Sequence, residues 1–333
     1  MSKCKYTSIG GQALIEGIMM KSPEKTALGV RVPDGSIDIT YLEQKSLRSK
    51  YKVFALPVIR GVVGFIESMI QGYKAMMLSA EKSGFTDLEE EEKKDGKKEE
   101  KKDNSLLITV IMIIGTVLGF GLAMVLFMLL PRLCVSGIEA LFSTELPKLA
   151  RSGIEQFLKL SIFVLYVWLV SFMKDIKRVF MYHGAEHKTI FCYEKGLELT
   201  VENVRKQKRF HPRCGTSFMI LMILISVIFS TVAQMIFRNA YSNYAVWVLI
   251  KLLMIPLVCG VGFEVLKICG KYDNIITRII SAPGMWLQRI TTKEPEDSMI
   301  EIAIAALKAC EPAVPDVDRC IDKKAEEESN DDI

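Results

Sequence analysis

Four apolar runs, at about residues 105–130, 157–173, 217–237 and 244–266, decide what this chain can fold into. Each approaches or exceeds the roughly 20 residues that a helix needs to cross a bilayer. Half of the 333 residues are hydrophobic and the mean hydropathy is +0.25, too apolar for an ordinary soluble domain. The expected fold is an α-helical integral membrane protein. It has about four transmembrane helices, a small β-containing N-terminal module and interfacial amphipathic helices.

Loop charge orients the spans. The segment between the second and third runs carries Lys174, Lys177, Arg178, Lys188, Lys195, Arg205, Lys206, Lys208, Arg209 and Arg213, whereas the segment between the third and fourth carries only Arg238. By the positive-inside rule both termini and the basic loop are cytoplasmic. The eight cysteines show no paired framework and read as reduced thiols, which suits that side of the membrane. Met1-Ser2-Lys3-Cys4-Lys5-Tyr6 has no apolar core behind its charges, so no cleavable signal peptide is expected. A net charge of +4 makes no case for nucleic acid.

Along the chain, residues 1–52 form the N-terminal module. Its β-prone runs Ala27–Val32 and Ser36–Leu42 flank a Pro33-Asp34-Gly35 turn and predict a hairpin. Gly10-Gly11 reads as a pair of turn glycines rather than a phosphate cradle. In 53–80, Arg60, Glu67, Gln71 and Lys74 make one narrow polar stripe on an apolar helix. An unpaired charge at mid-membrane costs roughly 2.5–3.5 kcal/mol, so this helix is expected to lie in the interface or against the bundle.

Residues 86–104 are a charged, solvated linker, and 105–173 hold the first two spans. A loop at 174–216 is followed by the last two spans in 217–269, interfacial and amphipathic helices in 273–310, and a polar tail from 311 to 333. Trp286 is an interfacial anchor, and Glu294-Pro295-Glu296-Asp297-Ser298 supplies the acidic first turn of the last helix. No internal repeat is visible.

All three histidines of the chain fall in the 174–216 loop. His183 and His187, four residues apart, share one helix face, with Glu186 beside them. The order H-x-x-E-H is that of inverted zinc proteases, in which two His bind metal and the Glu works on water. His211-Pro212-Arg213-Cys214 has the His/Cys spacing of a metal knuckle. Glu264, at the edge of the fourth span, is a further carboxylate candidate, with Lys267 and Lys271 as alternative partners.

The candidate ligands of a divalent metal, Zn²⁺ by its chemistry, are therefore His183, His187, His211, Cys214 and Glu264, with Glu186 as the catalytic base. Four protein ligands would close the site and make it structural; three would leave a position for water. Surface histidines with no metal remain the plain alternative.

Further motifs carry a family likeness. They are Gly10-Gly11-Gln12-Ala13-Leu14-Ile15-Glu16-Gly17-Ile18-Met19-Met20, Pro57-Val58-Ile59-Arg60-Gly61, Tyr182–Lys188 and Phe210–Thr216. Glu294–Ser298, continuing through Ala303, Ala305, Ala306, Leu307 and Lys308, completes the set. From about residue 8 to 310 the chain resembles the YqhQ-like bacterial membrane proteins, a family of unknown function described as predicted metal-dependent enzymes. The resemblance implies a multi-pass protein of the bacterial inner membrane.

Two functions are compatible with these residues. One is a metal-dependent hydrolase at the cytoplasmic membrane face, acting on a lipid-linked or membrane-protein substrate. The other is a non-enzymatic factor with a structural metal that assists membrane-protein insertion, export or assembly through a membrane-protein or export-machinery partner. Whether His211 and Cys214 both bind the ion separates them.

Overall fold

The computed structural model describes residues 7–44, 51–84, 105–211, 214–237, 243–272 and 274–311. The charged linker at 86–104, the first six residues and the tail from 312 lie outside them. The chain forms two compact units: Met1–Glu90, Ser171–Leu221 and Cys259–Ile333 make one, and Glu91–Val170 with Met222–Val258 the other.

In the first unit β1 (Gly10–Leu14), β2 (Gly17–Lys21), β3 (Thr26–Arg31) and β4 (Ile37–Leu42) form an antiparallel meander. The β3–β4 hairpin is the one expected, with Gly35 at φ +85° and the Ser36 N–H donating to Asp34 Oδ1 at 2.8 Å. The β1–β2 hairpin turns on Ile15-Glu16, with Glu16 itself left-handed at φ +50°, and pairs Leu14 with Gly17. Sequence propensity hides it, because Gly-Gly-Gln-Ala-Leu contains no β-branched residue.

Strand side chains alternate, so the sheet buries both faces. Ile18, Met20 and Ala27 pack with Tyr182 of α5 (Lys174–Glu194) and with Ile302 and Ala306 of α10 (Asp297–Cys310). Leu14, Met19, Leu28 and Val30 pack with Ala75 of α1 (Ile59–Lys82) on the other face. The N-terminal module is thus the middle layer of a larger unit built from three separate stretches of chain.

Helix α1 buries small residues, Gly61, Gly64, Gly72, Ala75 and Ser79, while Ile66, Met69, Ile70 and Tyr73 stay exposed. Gly72 lets the Gln12 amide approach closely: a Cβ would sit 2.4 Å from Gln12 Oε1 and push that side chain aside. Helix α9 (Ile275–Thr291) likewise exposes Ile275, Ile276, Ile279 and Trp286 while burying Gly284, Leu287 and Gln288. An apolar outer face inverts the pattern of a water-exposed helix and is that of a helix lying in a lipid interface.

The second unit holds α2 (Ser105–Met124), a π-helical turn at Val125–Leu129, α3 (Leu130–Phe142), α4 (Lys148–Val170) and parts of two long helices. These are α7 (Gly215–Ile236) and α8 (Tyr244–Lys271). The short α6 (Val201–Arg205) belongs to the first unit. The first span does not stop at residue 130 as the apolar run does; Pro131 stands in the first turn of α3, where a missing N–H is tolerated. Among the described residues four helices are long and apolar enough to cross a membrane: Ile114–Phe142, Ala150–Val170, Gly215–Ile236 and Ala245–Cys269. Near the start of α4, Arg151 is bound by Glu139 at 2.9 Å and by Glu155 at 3.5 Å.

Candidate metal centre

Helix α5 places His183 and His187 side by side, their ring centroids 4.4 Å apart. Backbone carbonyls fix both rings. His183 Nδ1 lies 2.8 Å from the Thr291 oxygen, and His187 Nδ1 lies 2.5 Å from the Arg209 oxygen. A carbonyl only accepts, so each Nδ1 carries the hydrogen and each Nε2 presents a lone pair. His183 Nε2 is 3.0 Å from Cys214 Sγ. His187 Nε2 is buried with no hydrogen-bond partner among the described residues.

One ligand atom from each of His183, His187 and Cys214 lies within 4.8 Å of the other two. A buried acceptor without a donor costs about 1–3 kcal/mol, so His187 Nε2 calls for a partner. Two imidazoles held from behind by carbonyls, plus a thiol, make a donor set that fits a zinc-like cation.

The stretch that supplies the Thr291 carbonyl is held on α5 through Gly184, between the two histidines. A Cβ on Gly184 would stand 2.0 Å from the Lys293 oxygen, while the Lys293 N–H donates to the Phe180 carbonyl at 2.8 Å. Glu186 is buried against β1: a Cβ on Gly11 would lie 2.8 Å from Glu186 Cγ, and the Gly11 N–H donates to the carboxylate. Burial raises the Glu186 pKa above the ordinary carboxylate range, and the opposing pull of His183 and the Gly11 N–H does not cancel it. Gly11 is therefore a close-approach glycine rather than a turn glycine.

The other two candidates stand differently: His211 lines the same cleft, its ring centroid 5.6 Å from that of His187, whereas Glu264 does not line it. His211 has its backbone clamped by Gln288, which accepts from His211 N and donates to His211 O, both at 2.7 Å. Its ring faces Glu194, with Nε2 3.8 Å from Oε2, and lies outside the three-residue group. Glu264 forms a two-pronged ion pair with Arg60, Nε to Oε1 at 2.6 Å, and is also outside the group. The main partner is the first charge of the α1 stripe, with Lys267 adding a weaker electrostatic pull.

The centre opens on a cleft of about 530 Å³ whose lining includes Gly11, Ala13, His183, Glu186, His187 and Cys214. At the outer end of α5, Arg178 donates to Glu16 at 2.5 and 2.7 Å, and the Tyr182 hydroxyl donates to the same carboxylate at 3.1 Å. Burial pushes the Glu16 pKa up, but Arg178 and Tyr182 outweigh it and hold the carboxyl below its usual range. A depressed folded pKa stabilises the protein above the unfolded value and stops doing so as pH falls through the folded one. Wild type should therefore melt higher than Glu16→Gln at pH 7, by about 1 kcal/mol because Arg178 is partly solvent-screened. The difference should shrink below the ordinary carboxylate pKa, and a gap that persists to pH 3 would show that the pair is not its cause.

Fold and centre define a mostly helical, multi-span class of protein with a His/His/Cys group that could hold a metal ion in its strand-bearing unit. Residues 56–313 match the family described as "Protein of unknown function (DUF1385)", and the chain belongs to that family. It is 35% identical over 308 residues to the "Uncharacterized protein YqhQ" of Bacillus subtilis (strain 168), covering 91% of this chain and 92% of that protein. No solved structure gives a significant match.

Proposed function

We propose that this protein is a metal-dependent hydrolase working at the cytoplasmic face of a bacterial inner membrane. The observation that carries the reading is a set of three ligating side chains, His183, His187 and Cys214, opening on a cleft that Glu186 also lines. His211 lines the same cleft but lies outside that three-residue group, with its Nε2 3.8 Å from Glu194 Oε2. A bound divalent ion, with Zn²⁺ the best fit to two imidazoles and a thiolate, supplies Lewis acidity and acidifies water in the cleft. Thr291 and Arg209 keep the two imidazoles in the ligating tautomer. Glu186 takes a proton at its carboxylate and returns it to the leaving group, with the Gly11 N–H fixing the carboxylate in place.

The basic 174–216 loop supports a cytoplasmic site and cytoplasmic termini. The outward apolar faces of α1 and α9 support a position at the lipid boundary, which suits a lipid-linked or membrane-embedded substrate.

Cobalt substitution with acetohydroxamate as probe tests the reading. The protein in detergent should take up about one equivalent of Co²⁺, with a thiolate charge-transfer band that Cys214→Ser abolishes. Hydroxamate should shift the visible bands, because a position is open to it. Chelator-sensitive turnover should then be found in a panel of fluorogenic esters and peptides. Failure to take up metal, or visible bands indifferent to hydroxamate, would sink the proposal.

A further inference from the structure

The second unit contains a cavity of about 260 Å³ unrelated to the histidines. Most of its wall is aliphatic or thioether, Met222 and Ile255 among it, yet Lys159 and Lys251 both line it, with Ser226 and Ser230 between them in the sequence. Lys159 is midway along α4, and Lys251 stands in the second turn of α8; both lie inside helices of membrane-crossing length. Measured from the helix starts, they are roughly 16 and 10 Å deep.

Charged side chains inside membrane spans are rare and mark function unless something pairs them. Here no close ion pair among the described residues does. Neither lysine has an ion pair within 4.0 Å, and no carboxylate lines the cavity. Glu155, the one acid within electrostatic reach of both lysines among the described residues, is shared with Arg151 at 3.5 Å, and Arg132 adds a third cation near Lys251. The Trp247 ring, 5.5 Å from the Lys251 ammonium, covers one side of it. Met128 of the π-helical turn also faces the cavity, and such turns are frequent where a helix is adapted to a site.

We infer that this cavity binds a phosphate-bearing anion, with Lys159 and Lys251 neutralising the phosphate and the apolar wall taking what is attached to it. Two ammonium groups sharing one small apolar space repel each other until an anion sits between them. The apolar wall favours an acidic lipid headgroup over free phosphate. The site is independent of the metal centre.

Native mass spectrometry of the detergent-solubilised protein distinguishes the sources. Phosphatidylglycerol should be retained at least 10-fold better than phosphatidylcholine, and the double substitution Lys159→Met/Lys251→Met should abolish the preference. Methionine keeps the length and apolarity of the stem, and Lys159→Arg/Lys251→Arg should keep the preference. If the double Met variant fails to fold, Lys251→Met alone should still reduce the preference severalfold. Displacement of lipid by millimolar inorganic phosphate would support the site and name a free phosphate compound as its ligand. No preference in wild type, or one that survives loss of both lysines, would overturn the inference.

Discussion

Glu186→Gln should give a folded, metal-loaded protein that is inactive. The amide keeps the size of the side chain and an oxygen that can accept from the Gly11 N–H, so the packing of α5 on β1 should persist. What it loses is the ability to take a proton, and general acid–base catalysis commonly contributes 10²–10⁴-fold. Stability should not fall, because a buried carboxyl is replaced by a neutral group. Complementation of a strain deleted for its own copy, with immunoblotting beside it, reads the effect without knowledge of the substrate. Full complementation by a stably expressed Glu186→Gln protein would refute the hydrolase reading and favour a structural role for the metal.

His187→Ala should release the metal. Loss of an outer partner alone typically costs 10–100-fold in affinity, and loss of a direct ligand costs more. With metal in excess the variant should melt below wild type, since an ion bound only to the native state adds RT ln(1 + [L]/Kd) to its stability. In chelator that advantage vanishes, and wild type then carries an unpartnered Nε2. The gap between the two proteins should therefore narrow sharply. His211→Ala is the contrasting variant: its ring faces Glu194, so metal content should be retained. Metal loss by His211→Ala with retention by His187→Ala would reverse the assignment of ligands.

The spans and the histidine pair were legible because each rests on a local pattern: apolar length for the one, helical spacing for the other. Cys214 and His211 were legible as a pair, but their spacing does not show what holds them. Gln288, an amide far downstream, grips the His211 backbone on both sides. No local pattern announces it. The α1 stripe set Arg60 on a polar face, yet periodicity fixes a face and not the partner that meets it. Glu264 is that partner. Gly11 was misread as a turn glycine for a similar reason, since the contact that demands it is made by a carboxylate on another element.

The way β1 and the α9 terminus meet on α5 bears on how the molecule is made. Glu186 rests on Gly11, near the start of the chain, and His183 is set by Thr291, near its end. During synthesis the first hairpin must wait, with its binding face uncovered, while every hydrophobic segment is threaded and the last interfacial helix emerges. The centre is completed only by a chain that has finished all of this, so a truncated or misinserted product has no means of acquiring the pocket. On the proposed reading, metal uptake would double as a certificate of correct assembly.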